Sequence, residues 1–319
     1  MQKKSAHRQF FACALRNTTK GKRLLFLKLD FVIPGFSKCG TTTLCSMLGN
    51  HPQIRIADGK EPGYFSHNFR RGMEWYESLF GNQSSEGKLY GDGSTFYSSF
   101  EFSALAAERI SSNNPDAKLI FMARDPIARL ESSFREMHHS GWKYGVHPDS
   151  NINIAIKKMP NMINDTKYWH LLNRFRKYFK DENIQILLLE DWESDPIGQC
   201  KKCFDFLGVQ SMQVSGNHFL KCNPGDLKKM DSRLMAIIRK NSVSNAIWHQ
   251  MGLRSQEMLS SFFGLRPGFN IPIRWNPETL QWIAQQIGDE MLAFLEHARQ
   301  PISKWPKFKN IVFSIPPIL

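Results

Sequence analysis

The sequence predicts an α/β protein, a central parallel sheet with helices on both faces, and three observations predict it. Short apolar runs alternate with longer segments of helical spacing along the first 300 residues. One of these runs passes through a glycine-bearing turn straight into a helix at residues 31–48. Another ends on an arginine followed by Asp-Pro at residues 124–126. No internal repeat and no low-complexity linker breaks the alternation, so one domain with insertions is the simplest account.

The candidate strands are Leu27 to Pro34, Leu89 to Asp92, Ala117 to Ala123 and Ile184 to Leu189, each short, apolar and bounded by polar or Gly/Pro residues. Four strands suffice for a doubly wound core. Helices are expected at Thr41 to Leu48, Phe102 to Ile110, Ile127 to His138 and Tyr168 to Phe179, the last with Leu171, Leu172 and Phe175 on one stripe. A final helix opens with Asn276 as N-cap and Pro277 at its first position, and buries Leu280, Ile283, Ile287, Met291, Phe294 and Leu295. Gly, Pro, Asn and Ser interrupt residues 211–272, which read as an irregular cap or substrate-facing segment. The expected organisation is a basic extension over 1–28, a globular domain over 29–302 and a C-terminal tail over 303–319.

The chain has 319 residues, and 42 Lys+Arg against 29 Asp+Glu give it a net charge of +13. A composition that is 41% hydrophobic and 22% charged excludes disorder, collagen and coiled coil. No stretch reaches the roughly 18 to 20 apolar residues that span a bilayer, so no transmembrane segment is expected. Six cysteines are too few for a disulfide scaffold, and none has zinc-finger spacing; no metal is expected. The pair Cys200 and Cys203 sits one helical turn apart beside Phe204 and Leu207 and reads as core. Charge is concentrated at the ends. Residues 1–29 hold eight Lys/Arg and residues 301–319 hold three, neither with an acid, so the body between them is close to neutral. A nucleic-acid partner needs basic residues interleaved with exposed aromatics on one face, and the body shows no such patch. Reduced thiols and the missing anchor point to the cytoplasm; a Golgi-lumenal catalytic fragment or an organelle-targeted chain, suggested by the acid-free N-terminus, is the alternative.

The most informative segment is FVIPGFSKCGTTTLCSML, residues 31–48: an apolar strand, a tight loop with Gly35 and Gly40, then three threonines opening a helix. This is P-loop-like geometry for a phosphate. Small residues admit close approach of backbone N–H groups to an anion, and the helix N-terminus adds partial positive charge. Thr41, Thr42 and Thr43 can donate hydroxyls to non-bridging oxygens. A nucleoside-triphosphate loop ends in Gly-Lys-Ser/Thr, whereas here Gly40 is followed by Thr41 and the loop lysine, Lys38, precedes the glycine by two residues. That placement disfavours a nucleoside or sugar kinase using ATP, which stays as the alternative enzyme reading.

The run PGFSKCGTTTL closely resembles the 5′-phosphosulfate loop of sulfotransferases that use 3′-phosphoadenosine 5′-phosphosulfate (PAPS). A second run, KLIFMARDPIARLESSF, resembles the family's 3′-phosphate motif through Arg124, Pro126, Arg129, Ser132 and Phe134. Independently, Lys38 and Arg124 each follow a predicted strand, and ligands of open parallel sheets sit beyond the strands' carboxyl ends. The resemblance implies a P-loop-like three-layer fold and an enzyme that moves a sulfuryl group from PAPS to a hydroxyl or amine by in-line displacement. Lys38, Cys39, Gly40, Thr41, Thr42, Thr43, Arg124 and Ser132 would hold PAPS, and Lys38 would neutralise the leaving bisphosphate.

Between these motifs, Lys60-Glu61-Pro62-Gly63-Tyr64-Phe65 resembles a Lys-Glu-x-x-Phe-Phe segment of heparan-sulfate-type carbohydrate sulfotransferases and bacterial relatives, which puts Glu61 at the family's base position. Transfer to a hydroxyl requires the acceptor oxygen to lose a proton, and a positioned carboxylate can take it. A solvated loop carboxylate paired with Lys60 is the other reading of Glu61. Residues 89–97 resemble a Gly-Glu-Lys-Thr-Pro-x-Tyr segment, with Gly93 standing where relatives carry a functional lysine. Asp92 is then either an auxiliary carboxylate or a capping residue. His138, with His139 beside it, is a further base candidate, and Lys221 marks the best place for the family's late adenine-side loop. The helix after the fourth strand, in DWESDPIGQCKKCFDFLG, matches the family as packing. The implied acceptor is a carbohydrate or a small metabolite.

Overall fold

The computed structural model describes residues 27–81, 87–141, 146–212 and 272–313. Its centre is a five-stranded all-parallel sheet: β1 (Phe31–Gly35), β2 (Ile54–Ile56), β3 (Leu89–Asp92), β4 (Lys118–Ala123) and β5 (Ile184–Leu188), in the order β2-β3-β1-β4-β5. The helices are α1 (Thr41–Gly49), α2 (Met73–Ser78), α3 (Ser103–Asn113), α4 (Pro126–Ser140), α5 (Ile152–Lys158), α6 (Asn161–Asn164), α7 (Tyr168–Arg176), α8 (Leu189–Ser194), α9 (Pro196–Leu207), α10 (Pro277–His297) and α11 (Pro306–Phe313). Helix α9 packs on α1, while α7 packs on α3 and α10, and α11 on α10 and α4, giving the expected layers around the sheet. Every residue of β1, and all of β4 after Lys118, is buried, as strands covered on both faces require.

The expected strands at Leu89, Ala117 and Ile184 form within one residue of their limits. The first begins later than expected, at Phe31. Leu27 and Leu29 are buried, but their amides donate to side chains, Leu27 to Glu77 at 2.7 Å and Leu29 to Asn113 at 3.1 Å, and so stay outside the ladder. The edge strand β2 was not expected: three residues are too few to show a period. Pro34 lies inside a central strand where its missing N–H removes a ladder bond, and there the β1–β4 register slips, Ile33 and Pro34 on β1 answering the single Ile120 on β4 between Val32 and Gly35. That bulge sits immediately before the glycine-bearing loop.

The final helix forms as its caps predict, with the Asn276 side chain accepting from Thr279 N at 2.9 Å and Pro277 in the first turn. Beyond it the structure departs from expectation. Residues 303–319 read as a tail, yet α11 lies within them, and Trp305 and Phe308 are fully buried, Trp305 against Tyr168 and Phe294 and Phe308 against Trp305. Isolated aromatics between lysines carry too little periodicity to announce a helix. Cys200 and Cys203 are buried in α9, where loss of solvent raises both thiols, Cys200 to about 12; this is the core role their spacing suggested. No helix among the described residues is long and apolar enough to cross a membrane.

If residues 305–311 belong to the core, Trp305→Ala should lower stability by about 3–5 kcal/mol in urea denaturation, the cost of a large buried aromatic; a tail would leave the midpoint unchanged.

Candidate active site

Strand β1 delivers the loop to the carboxyl edge of the sheet. Lys38 takes a left-handed backbone, φ 67°, and Gly40, at the N-cap of α1, has φ 89° and ψ 8°. Gly40 has to be glycine twice over, because a Cβ there would come within 2.7 Å of Leu189 Cδ1. No side chain caps α1. The N–H groups at the start of the helix therefore meet no capping side chain, and with Thr41 buried and Thr42 and Thr43 half-buried beside them they form a cradle suited to an anion. The Lys38 ammonium reaches Glu136 on α4 at 2.8 Å.

Strand β4 delivers Arg124. Its Nη1 meets Lys38 O at 3.4 Å, so the two anion-binding motifs touch, and its Nε is buried with no hydrogen-bond partner among the described residues. A guanidinium donor buried without an acceptor in a cationic pocket fits a phosphate oxygen. Tyr168, which the sequence offered only as the start of a helix, joins the motifs: its hydroxyl donates to Arg124 O at 3.1 Å and lies 3.5 Å from Cys39 Sγ, and Phe36 stacks on its ring. The Cys39 side chain thus faces the core, and only its backbone is offered to the cradle. Arg129 looks in sequence like a second phosphate ligand but is 2% exposed. It donates to Ser37 O at 3.2 Å, Met162 O at 3.2 Å and Thr166 Oγ1 at 2.8 Å, tying the loop to the α6–α7 corner. Half-buried Ser132 shares the helix face of Glu136, four residues on.

On the β2 side, the turn after the strand carries Lys60 and Glu61. Lys60 also has a left-handed backbone, φ 63°, and its ammonium pairs with Glu61 and reaches Thr41 Oγ1 at 3.3 Å. Glu61 accepts a second bond from Thr95 Oγ1 at 2.9 Å, and its side chain is one-third exposed. Glu61 therefore stands at the edge of the same crevice as the cradle, oriented by Lys60 and Thr95. The Lys60 pairing is the one that the sequence offered as the other reading of Glu61; Thr95 was not singled out.

Asp92 resolves as a structural carboxylate. It is fully buried and accepts from Tyr76 at 2.8 Å, Tyr97 at 2.6 Å, and Ser94 through N at 2.9 Å and Oγ at 2.6 Å. Burial raises its pKa above the aspartate range, while the Ser94, Tyr97 and Tyr76 bonds pull downward. Four donors saturate it, so it faces no acceptor. Next to it, Gly93 has no room for a side chain, since a Cβ would lie 2.4 Å from Cys45 Sγ. His138 is also set apart. Glu136 touches Lys38, and a residue two positions later points about 200° around the helix; His138 packs edge-on to Phe134 at 4.6 Å instead. Lys221 lies outside the described residues.

Comparisons with known proteins bear on this geometry. A family model described as "Sulfotransferase domain" matches residues 28–249. Human heparan sulfate glucosamine 3-O-sulfotransferase 6 is 27% identical over 198 residues, 59% of this chain and 54% of that protein, so the chain spans about half the length of such relatives. The membrane-associated sulfotransferase kil1 of Dictyostelium discoideum is 36% identical over 107 residues, 33% of this chain and 22% of kil1. A solved sulfotransferase from Alicyclobacillus acidocaldarius superposes with a TM-score of 0.59 at 18% identity, covering 88% of this chain and 99% of that one, which shows a shared fold.

Two measurements separate structural from reactive groups. Asp92→Ala leaves two tyrosine hydroxyls and Ser94 without their buried acceptor and should cost about 3 kcal/mol or more in urea denaturation, whereas Glu61→Gln, at the surface, should stay within about 1 kcal/mol. Burial holds the His138 pKa below the ordinary histidine value. Its stabilisation is present above about pH 6.5, the unfolded value, and is lost as pH falls through the lower folded value; His138→Gln should therefore flatten the fall of Tm between about pH 7 and 5.

Proposed function

The chain belongs to the sulfotransferase domain family, matched over residues 28–249, and on that premise we propose that it transfers a sulfuryl group from PAPS to a hydroxyl or amine of a carbohydrate or small-metabolite acceptor. The observation that carries this reading is the convergence of two touching anion-binding elements, the Lys38 loop and Arg124, with a hydrogen-bonded carboxylate, Glu61, across the cradle from them.

Lys38, the Cys39 and Gly40 backbone, Thr41, Thr42 and Thr43 would hold the 5′ end of PAPS, and Arg124 with Ser132 the 3′-phosphate. When bound, PAPS supplies the sulfuryl group: the acceptor oxygen bonds to sulfur as the bond from sulfur to the 5′-phosphate oxygen breaks, and that electron pair leaves with adenosine 3′,5′-bisphosphate. Glu61 takes the acceptor proton as the new bond forms. The Lys38 ammonium stabilises charge on the departing phosphate oxygen, and an anion in the loop competes with Glu136 for it. Arg129 acts indirectly, by fixing Ser37 O and so the loop. Asp92 and His138 have no part in this scheme.

A glycan hydroxyl is the acceptor best supported. The human relative is named for heparan sulfate glucosamine, and Phe96, 47% exposed with the His67 ring 5.2 Å away, offers sugar rings an apolar surface one residue along the chain from Thr95. Resemblance to a protein named membrane-associated supports a membrane-linked setting over the cytoplasm. The catalytic unit proposed from sequence, residues 29–302, is best extended to include α11.

Purified protein should be stabilised against heat by adenosine 3′,5′-bisphosphate far more than by AMP or magnesium ATP. Lys38→Ala and Arg124→Ala should each weaken bisphosphate binding about tenfold or more, the loss of a charge-assisted contact. Glu61→Gln should leave that binding unchanged while lowering transfer from labelled PAPS by about 10²–10⁴-fold. Equal stabilisation by AMP and the bisphosphate would sink the proposal, because nothing would be reading the 3′-phosphate.

A further inference from the structure

Lys60 has a place that the two anion motifs do not account for. Its ammonium bridges Thr41 Oγ1, at 3.3 Å, and the Glu61 carboxylate. The first is the hydroxyl at the head of the cradle and the second is the proposed base, so Lys60 bridges the two. Its placement is built. The residue adopts φ 63°, a region disfavoured for any side chain beyond glycine, directly after Gly59 at φ 79°. Its carbonyl is pinned by Gly93 N at 3.2 Å, and its stem crosses Gly93 so closely that a Cβ there would stand 3.4 Å from Lys60 Cγ. With 20% of its side chain exposed, it is largely withdrawn from solvent, as an ammonium aimed only at its surface neighbour would not be. An ion pair between adjacent surface residues contributes little to stability, so stability alone does not explain a strained backbone here.

We infer that Lys60 is a second ammonium of the transfer site, one that binds the oxygens of the sulfuryl group and not the bisphosphate; the inference rests on the PAPS reading above. Lys38 and the cradle hold the phosphate side, Glu61 receives the acceptor's proton, and Lys60 lies between them, where the group that changes hands must pass. Glu61 is the counter-ion of Lys60. An anion beside Thr41 draws the ammonium toward itself and leaves the carboxylate to accept a proton. No proton or electron is transferred to or from Lys60 in the step: it stabilises charge on the sulfuryl oxygens and remains protonated.

The discriminating experiment compares wild type, Lys60→Met and Lys60→Arg in the full chain, with adenosine 3′,5′-bisphosphate and PAPS as the two ligands and no acceptor present. Lys60→Met should leave bisphosphate affinity within about twofold and weaken PAPS about tenfold, the loss of one charge-assisted contact. With acceptor added, its kcat should fall about 100-fold, as when one oxyanion donor is removed, and Lys60→Arg should recover at least about tenfold of that. Equal loss of bisphosphate and PAPS affinity would place Lys60 on the phosphate and overturn the inference, as would a kcat within about threefold of wild type. Should Lys60→Met melt early, Lys60→Gln carries the same readouts. A wild-type protein that binds neither ligand would overturn the donor reading and this inference together, whereas a competent wild type with an indifferent Lys60→Met would overturn this inference alone.

Discussion

The Asp125 carboxylate holds the N-termini of two helices at once. One oxygen accepts from Ile127 N at 2.9 Å and Ala128 N at 3.4 Å, closing the first turn of α4, and the other accepts from Lys307 N at 2.8 Å and Phe308 N at 3.1 Å in the C-terminal helix. Its own amide donates to Glu190 at 2.8 Å, just beyond β5. Three separate stretches of chain therefore meet at the residue after Arg124. A carboxylate between two positive helix ends is a favourable arrangement, and it fixes where β4 stops and α4 starts. Arg124, Ser132 and Glu136 inherit their positions from that point.

A second constraint runs from α4 back to the loop. Arg129 is buried and spends its donors on Ser37 O, Met162 O and Thr166, so the anion loop is held from beneath by the same helix whose outer face meets Lys38 through Glu136. Tyr168 closes the ring of contacts by bonding Arg124 O beside Cys39. The cations of the site rest on internal counter-ions, Glu136 for Lys38 and Glu61 for Lys60. This agrees with a charge distribution in which the excess positive charge lies at the chain ends and the body is near neutral. Anion recognition here depends on a few placed donors and owes little to a broad field.

Much of the fold was legible in the sequence because each signal was local. Four of five strands, the α1 start after Gly40 and the Asn276–Pro277 cap follow from apolar runs and capping chemistry that need no distant partner. The three-residue β2 and the helix at 306–313 were missed, since their stability comes from β3 on one side and from Asp125, Tyr168 and Phe294 on the other. Both are tertiary in origin. Within the site, motif and resemblance named Lys38, Arg124, Glu61, Asp92 and His138 alike and could not say which of them share one edge, because which way a side chain points after a strand or along a helix depends on its neighbours. Tyr76, Tyr97 and Ser94 take up Asp92, and the rotation of α4 carries His138 away from Lys38.

The amino-acid order by itself determined the α/β class, the phosphate-cradle character of residues 31–48 and the pairing of Lys38 with Arg124 at one sheet edge, since strand, glycine turn and helix N-terminus are encoded within a few residues of one another. Only the tertiary structure decided what each charged group does. It alone buried Arg129 as a tether, saturated Asp92 with four donors, set Glu136 against Lys38 and carried Lys60 across Gly93 to Thr41. The physical reason is that a carboxylate or ammonium is defined by the partners and solvent it meets within a few ångströms, and in this fold those partners come from distant residues, 98 positions away for Lys38 and Glu136 and 182 for Asp125 and Lys307.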